Sequence, residues 1–217
     1  PKYDLLNHLL SLNVDKAWRK RVTRMVPVTT GPLLDLCTGT GDLAFEYDRA
    51  SNGRVRIVGI DFSAEMLTHA VAKSQRRGSH LRIGFVQADA QRLPFADGAF
   101  EAVTVAFGLR NVTDTDRGLA EMARVTRPGG RVAVLEFSRP RHWFFARAFR
   151  AYFRYLLPLV GQLFSRSGEK AYDYLPASVM EFPDGEALAE RMQAAGLRDV
   201  TYTPFTFGIA TLYVGTK

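Results

Sequence analysis

Leu33-Leu34-Asp35-Leu36-Cys37-Thr38-Gly39-Thr40-Gly41-Asp42-Leu43-Ala44 joins a short apolar run to a glycine-rich turn and then to a helical pattern. A strand that ends in glycines and opens a helix brings its backbone close to a ligand at the carboxyl edge of a sheet. The same alternation continues downstream. Residues 55–61 read as a second strand, and 63–77 as a helix with Ser63 as its N-cap. Residues 81–89 and 100–109 read as buried strands, and 114–125 as a helix. The turn Thr126-Arg127-Pro128-Gly129-Gly130 leads into a strand over 131–137. Short apolar runs alternating with helices predict an α/β fold, a mostly parallel sheet with helices on both faces.

Two segments stand outside this rhythm. The N-terminal region 3–26 reads as helical, and residues 139–182 read as a helical insertion. A last helix over 184–195 is followed by Gly196 as its C-cap. Two aromatic-rich strands, 199–205 and 209–215, are separated around Phe207-Gly208 and predict an antiparallel hairpin. No repeat or linker interrupts the chain, so 1–217 reads as one domain.

Composition narrows the function classes. The 217 residues are 47% apolar and 24% charged, as in a soluble globular protein. Cys37 is the only cysteine, which excludes an intrachain disulfide and points to a reducing, cytoplasmic setting. No signal peptide opens the sequence, and no apolar run approaches the ~20 residues of a spanning helix. The chain opens on Pro1 rather than methionine, so a preceding segment is expected. Lys and Arg number 29 against 22 Asp and Glu, a net charge of +7. Nucleic acid, an acidic membrane surface and an anionic substrate all fit that balance.

Gly39-Thr40-Gly41-Asp42-Leu43-Ala44 fits the loose dinucleotide pattern G-x-G-x-x-A, and Asp61 lies where a ribose-binding acid belongs. A tight turn with no ligand is the plain alternative. Asp35 distinguishes the candidate ligands. A carboxylate beside the loop repels a pyrophosphate but attracts the sulfonium and ammonium of S-adenosylmethionine. Asp61 can accept both ribose hydroxyls. Asp89 can pair with the adenine amino group, and Ala90 leaves room for the ring. Each acid alone could be a helix N-cap. Together with Gly39, Thr40 and Gly41 they resemble the donor site of class I S-adenosylmethionine-dependent methyltransferases. That likeness implies a Rossmann-like sheet of seven strands closed by the C-terminal hairpin.

A closer resemblance lies in blocks that run along nearly the whole chain. Tyr3-Asp4-Leu5-Leu6-Asn7, the stretch 11–19, 35–42, Gln87-Ala88-Asp89-Ala90, Phe107-Gly108-Leu109-Arg110-Asn111-Val112-Thr113-Asp114, 127–130 and 134–138 occur in the order of one family. They resemble the ubiquinone/menaquinone biosynthesis C-methyltransferases. The resemblance implies C-methylation of a polyprenylated quinol ring, with demethylmenaquinol or the ubiquinone-pathway benzoquinol as acceptor. It places donor binding on Thr40, Asp61, Asp89 and Ala90. Ala106 stands where the family often has a serine, so a hydroxyl contact is absent there. Cys37 reads as a small buried hydrophobe.

Such a reaction is an in-line attack by an electron-rich ring carbon on the donor methyl. A catalyst must favour the phenolate and hold the ring within about 3–3.5 Å of the methyl. Arg110 and Asn111 follow the fourth strand. Arg110 is expected to stabilise the phenolate or orient a water, its structural alternative being an ion pair with Asp114 or Asp116. Asn111 either bonds a quinol oxygen or caps the next helix. Tyr3 and Asn7 are placed over the ring, whereas Trp18 reads as core packing. The four histidines, His8, His69, His80 and His142, lack metal-ligand spacing, and only His8 lies near these blocks.

Between Glu136 and Glu169 there is no acid, but there are six arginines and nine aromatic residues. On a helix Phe145, Phe149, Tyr152 and Leu156 share one face, and Arg147, Arg150 and Arg154 the opposite one. This is the pattern of a helix at a lipid interface, or else of a helix covering the substrate. The expectation is therefore a cytoplasmic enzyme, peripheral at the inner face of the membrane, contacting it through 139–166. A homo-oligomer is compatible with the sequence, and nucleic acid is not expected. An RNA methyltransferase lacks a recognisable RNA module, and a non-catalytic donor-binding subunit conflicts with the intact Arg110-Asn111. A nicotinamide oxidoreductase conflicts with Asp35.

Overall fold

The computed structural model describes residues 14–140, 147 and 178–217. Helix α1 (Val14–Met25) precedes β1 (Leu33–Leu36), α2 (Asp42–Ala50), β2 (Ile57–Asp61), α3 (Ala64–Arg76), β3 (Ile83–Gln87) and β4 (Phe100–Ala106). Then follow α4 (Thr115–Val125), β5 (Thr126–Phe137), α5 (Glu186–Ala194), β6 (Arg198–Phe205) and β7 (Ala210–Thr216). The seven strands form one sheet in the order β3-β2-β1-β4-β5-β7-β6. Strands β1 to β5 run parallel; β7 is antiparallel to both β5 and β6. The seven-stranded class I methyltransferase architecture expected from the sequence is thus the observed one.

The strand sequences explain this burial. Every residue of β1 is buried, as the continuous apolar run of a strand covered on both faces requires. Side chains alternate across the sheet. Leu33 joins Trp18, Val22, Leu43, Phe45 and Ile57 on the face of α1 and α2. Leu34 and Leu36 join Val103, Val105, Leu119, Met122 and Leu188 on the face of α4 and α5.

Ser63 caps α3 as expected, whereas α4 is capped by Asp114 rather than Asn111, and the C-cap of α5 is Ala195, one residue before Gly196. Ser63 accepts the amide of Met66 at 3.3 Å, and Asp114 accepts that of Arg117 at 3.0 Å. At the start of β5 the structure differs from expectation. Phe100 pairs with Thr126 and Ala102 with Arg131, so residues 127–130 form an irregularity inside one strand rather than a separate turn. Gly129, with φ 75°, supplies the bend. The C-terminal strands do form a hairpin, joined by a 3₁₀ turn over Thr206–Gly208.

Helix α1 packs across the start of that hairpin. The indole N–H of Trp18 donates to the Thr206 hydroxyl at 2.8 Å, and Arg21 lies 4.4 Å above the Phe205 ring. No helix among the described residues is long and apolar enough to cross a membrane. Most of the insertion, including the amphipathic face over 145–156, lies outside the described residues. Of its arginines, Arg139 is ion-paired with Asp184 at 2.7 Å. Leu34, fully buried in β1, is expected to be a stability determinant. Leu34→Ala should lower the unfolding free energy by ~2–5 kcal/mol in denaturant melts.

Candidate active site

Strands β1 and β4 lie side by side, but their chains leave in opposite directions, β1 toward β2 and β4 toward β5. A crevice opens at such a switch point, outside the carboxyl ends of the strands. Here it is a cavity of about 1170 Å³. Both central strands end on a non-glycine residue in the left-handed region, Cys37 at φ 48° and Phe107 at φ 59°. Backbone strain of this kind persists only where the surroundings enforce it. Gly108 shows how tight the junction is: a Cβ there would fall 2.3 Å from the Cβ of Cys37.

The glycine loop forms one wall. Gly41, at φ 87°, has space for no side chain, because a Cβ would meet the Phe45 ring at 2.8 Å and Phe85 at 3.2 Å. Asp61 ties the loop to β2. One carboxylate oxygen accepts the Gly39 amide at 2.8 Å and the other accepts the Ser63 amide at 2.9 Å. Both oxygens retain a lone pair for a ligand in the cleft. Thr40 is buried, and its hydroxyl accepts the Lys73 ammonium at 3.2 Å.

Asp35 is only 1% exposed at the cleft floor. Its oxygens accept the hydroxyls of Thr38 at 2.7 Å and Thr104 at 2.9 Å. Burial pushes its carboxyl up to about 6, against the pull of those hydroxyls and of Arg19. Asp35 therefore braces the loop against β4 as well as adding charge to the floor. Asp89 is exposed and accepts the Gln91 amide at 2.8 Å; Ala90 is buried beside it. Both line the cleft.

Asn111 lines the cleft, but Arg110 does not. The 3₁₀ turn Leu109–Asn111 directs the Arg110 side chain inward, where it pairs with Glu136 of β5 at 2.9 Å and donates to the Phe107 carbonyl. The two side chains are 2% and 1% exposed. The structural alternative, an ion pair with Asp114 or Asp116, does not form: Asp114 caps α4, and Asp116 lies 3.4 Å from Arg191. Arg110 thus lies outside the cleft lining and holds the strained strand end through the Phe107 carbonyl. Tyr3, Asn7 and His8 lie outside the described residues.

The structure also brings in residues that the sequence reading passed over. Phe62, 77% exposed, stands at the rim next to Asp61, and Met66 and His69 face the cleft from α3. The adjacency of Phe62 to Asp61 was a usable signal. His69 gave none, because its approach to the loop depends on how α3 packs. Cys37 is half-buried and lines the cleft rather than lying wholly in the core, and burial, with Asp61, Asp35 and Glu136, pushes its thiol up to about 12. Ala106 lines the cleft without a hydroxyl.

This geometry agrees with what the chain is similar to. The model of the ubiE/COQ5 methyltransferase family matches residues 1–217. The chain belongs to that family. It is a methyltransferase by that membership, and its relatives match over essentially full length. A ubiquinone/menaquinone biosynthesis C-methyltransferase UbiE of Geobacter sulfurreducens is 46% identical over 220 residues, covering 100% of this chain and 84% of that protein. A demethylmenaquinone methyltransferase of Thermus thermophilus is 47% identical over 219 residues, covering 100% and 97%. Among solved structures, a putative S-adenosyl-L-methionine-dependent methyltransferase of Methanococcus maripaludis superposes with a TM-score of 0.70. It shares 15% identity and covers 100% of this chain and 90% of its own, a likeness of fold.

The Arg110–Glu136 pair yields a stability prediction for this family member. Removing one partner of a buried pair leaves the other charge uncompensated. Arg110→Ala should therefore lower the unfolding free energy by ~3–5 kcal/mol, as read by chemical denaturation. An unchanged midpoint would show that the pair is not a structural clamp.

Proposed function

We propose that this chain transfers a methyl group from S-adenosylmethionine to a ring carbon of a polyprenylated quinol, with demethylmenaquinol as the acceptor. The observation that carries the donor assignment is the charge of the cleft. Among the described residues, Asp35, Asp61, Glu65 and Asp89 line it together with Asp42, which Lys73 and Arg19 offset, and Arg19 is the one arginine in the lining. Such a lining disfavours a pyrophosphate and favours a cationic donor. The glycine loop and the remaining lone pairs of Asp61 fit the ribose, and the space beside Ala90 fits an adenine ring. The named activities of the Geobacter and Thermus relatives support the acceptor assignment.

When bound, S-adenosylmethionine supplies an electrophilic methyl on its sulfonium. The residues of the chain do the rest. Asp61 and the loop hold the donor, and the carboxylates lining the cleft favour its positive charge. Asn111, in the 3₁₀ turn that follows β4, offers its amide to a quinol oxygen and so orients the ring. Phe62, Phe107 and Met66 supply apolar walls that limit water around the reacting atoms. The arginine-rich, acid-free segment 139–166 supplies contact with the membrane that carries the prenylated substrate, at its inner face.

The test is incubation with labelled S-adenosylmethionine and three acceptors: reduced demethylmenaquinone, the ubiquinone-pathway benzoquinol, and RNA. Label in the menaquinol product is expected; label in RNA alone would overturn the proposal. Asp61→Ala should weaken donor affinity roughly tenfold to a hundredfold through lost charge-assisted hydrogen bonds. Asn111→Ala should lower turnover by roughly a hundredfold with donor affinity little changed.

Asp35 adds a pH dependence. Its folded-state pKa of about 6 is raised from 3.8, so the fold favours the neutral acid. Its contribution to stability is present below 3.8 and lost as pH rises through about 6. Its charge follows the opposite course, appearing above about 6. Donor affinity should therefore fall on acidification through that range, and Asp35→Asn should flatten the step in titration calorimetry.

A further inference from the structure

The wall between the cleft and a second cavity of about 550 Å³ carries alternating charges. Asp15 and Arg19 pair within α1. Arg19 then lies 3.9 Å from one oxygen of Asp42, and Lys73 of α3 pairs with the other. Lys73 also donates to the Thr40 hydroxyl at 3.2 Å, and its ammonium lies 5.5 Å from the centre of the Phe45 ring. Three helices thus converge on two residues that flank Gly41.

Thr40 lies between two glycines in the left-handed region, and Asp42 is the first residue of α2. Glycine-rich backbone loses more conformational freedom on ordering than any other, so such a loop needs external anchors. Asp61 anchors it at Gly39 from the side of β2. On the far side the helix N-cap is Gly41, which provides no side-chain hydrogen bond. Lys73 is the side chain that reaches that half of the loop from α3.

We propose that Lys73 is a positioning residue for the methyl donor: it holds Thr40 and Asp42, and through them sets the shape of the glycine loop. The inference rests on the reading of the cleft as the S-adenosylmethionine site. Lys73 is absent from the cleft lining, so it acts through the loop rather than by contact. Arg19, which does line the cleft, steadies Asp42 from the side of α1.

The sign of the effect separates positioning from simple electrostatics. Removing a cation near an acidic cleft makes the cleft more attractive to a cationic donor, so electrostatics alone predicts tighter binding by Lys73→Met. Loss of positioning predicts weaker binding, because small misplacements of a binding element are costly. S-adenosylmethionine affinity is measured by calorimetry on the unaltered chain, Lys73→Met, Lys73→Gln and Lys73→Arg, alongside thermal unfolding of each.

Lys73→Met and Lys73→Gln should bind roughly tenfold to a hundredfold more weakly while remaining folded at the assay temperature. Lys73→Arg should recover most of the loss. With a quinol acceptor, the donor KM should rise while kcat at saturating donor changes little. Unchanged or tighter binding by a folded Lys73→Met or Lys73→Gln variant overturns the proposal. Failure of the unaltered chain to bind S-adenosylmethionine overturns the donor reading itself, and this inference with it.

Discussion

The reversal of the winding direction of the sheet at the β1–β4 junction governs the rest of the structure. The two strands pair in parallel from Leu33↔Ala102 to Leu36↔Val105. Their next residues must separate within a few ångströms, one chain toward the glycine loop and the other toward the 3₁₀ turn. Cys37 and Phe107 accomplish this with left-handed backbones, and Gly108 survives the approach because it has no Cβ. Each of these features is unfavourable in isolation. They persist because both strands are buried on either face and cannot shift without breaking two hydrophobic layers. The cleft follows from the sheet order, and its contents from the residues that the two turns leave facing inward.

Electrostatics then divides the described residues into an acidic cleft lining and an arginine framework. Several of the arginines are engaged in pairs within the chain. Arg110 pairs with Glu136, Arg82 with Asp48, Arg139 with Asp184, and Arg124 bridges Glu121, Asp97 and the carbonyls of Leu93 and Phe95. Arginine suits such work because its planar fork satisfies several acceptors at once. The net charge of +7 is what remains beyond such pairs, and as a total it does not say where along the chain the surplus cations lie. The positive residues that face outward must be judged segment by segment, which is why the acid-free stretch 139–166 carries the membrane proposal and the total does not.

Much of the fold was legible because it depends on local signals. Continuous apolar runs marked the buried strands, Ser63 marked the start of α3, and Phe207-Gly208 marked the hairpin. The irregular start of β5 was missed because Pro128-Gly129-Gly130 reads as an ordinary turn. Only pairing with Phe100 absorbs it into a strand. The cleft residues were legible in the same measure. Asp61 and Asp89 follow strands whose ends define the crevice, so strand assignment alone placed them. Arg110 was not, because its partner Glu136 lies 26 residues away on β5 and is brought near by the β4–β5 register. Sequence adjacency offered only Asp114 and Asp116 as ion-pair partners, whereas the sheet brings Glu136 to Arg110.

Asp35 and Asp61 show why a residue type at a strand end is an incomplete description of a site. In the sequence they are equivalent, an acid closing β1 and an acid closing β2. Asp35, in the central strand, is enclosed by Thr38 and Thr104 and pays for burial with a raised pKa. Asp61 lies one strand nearer the sheet edge and remains partly exposed, with two backbone amides as its partners. Two backbone amides orient the Asp61 carboxylate and leave its remaining lone pairs turned to a ligand in the cleft. Hydroxyl partners can rotate and accept as well as donate, which allows Asp35 to exist in either protonation state within one geometry. The central acid is therefore suited to bracing and to pH sensitivity, and the outer acid to recognition. Position within the sheet, rather than residue type, divides the two tasks.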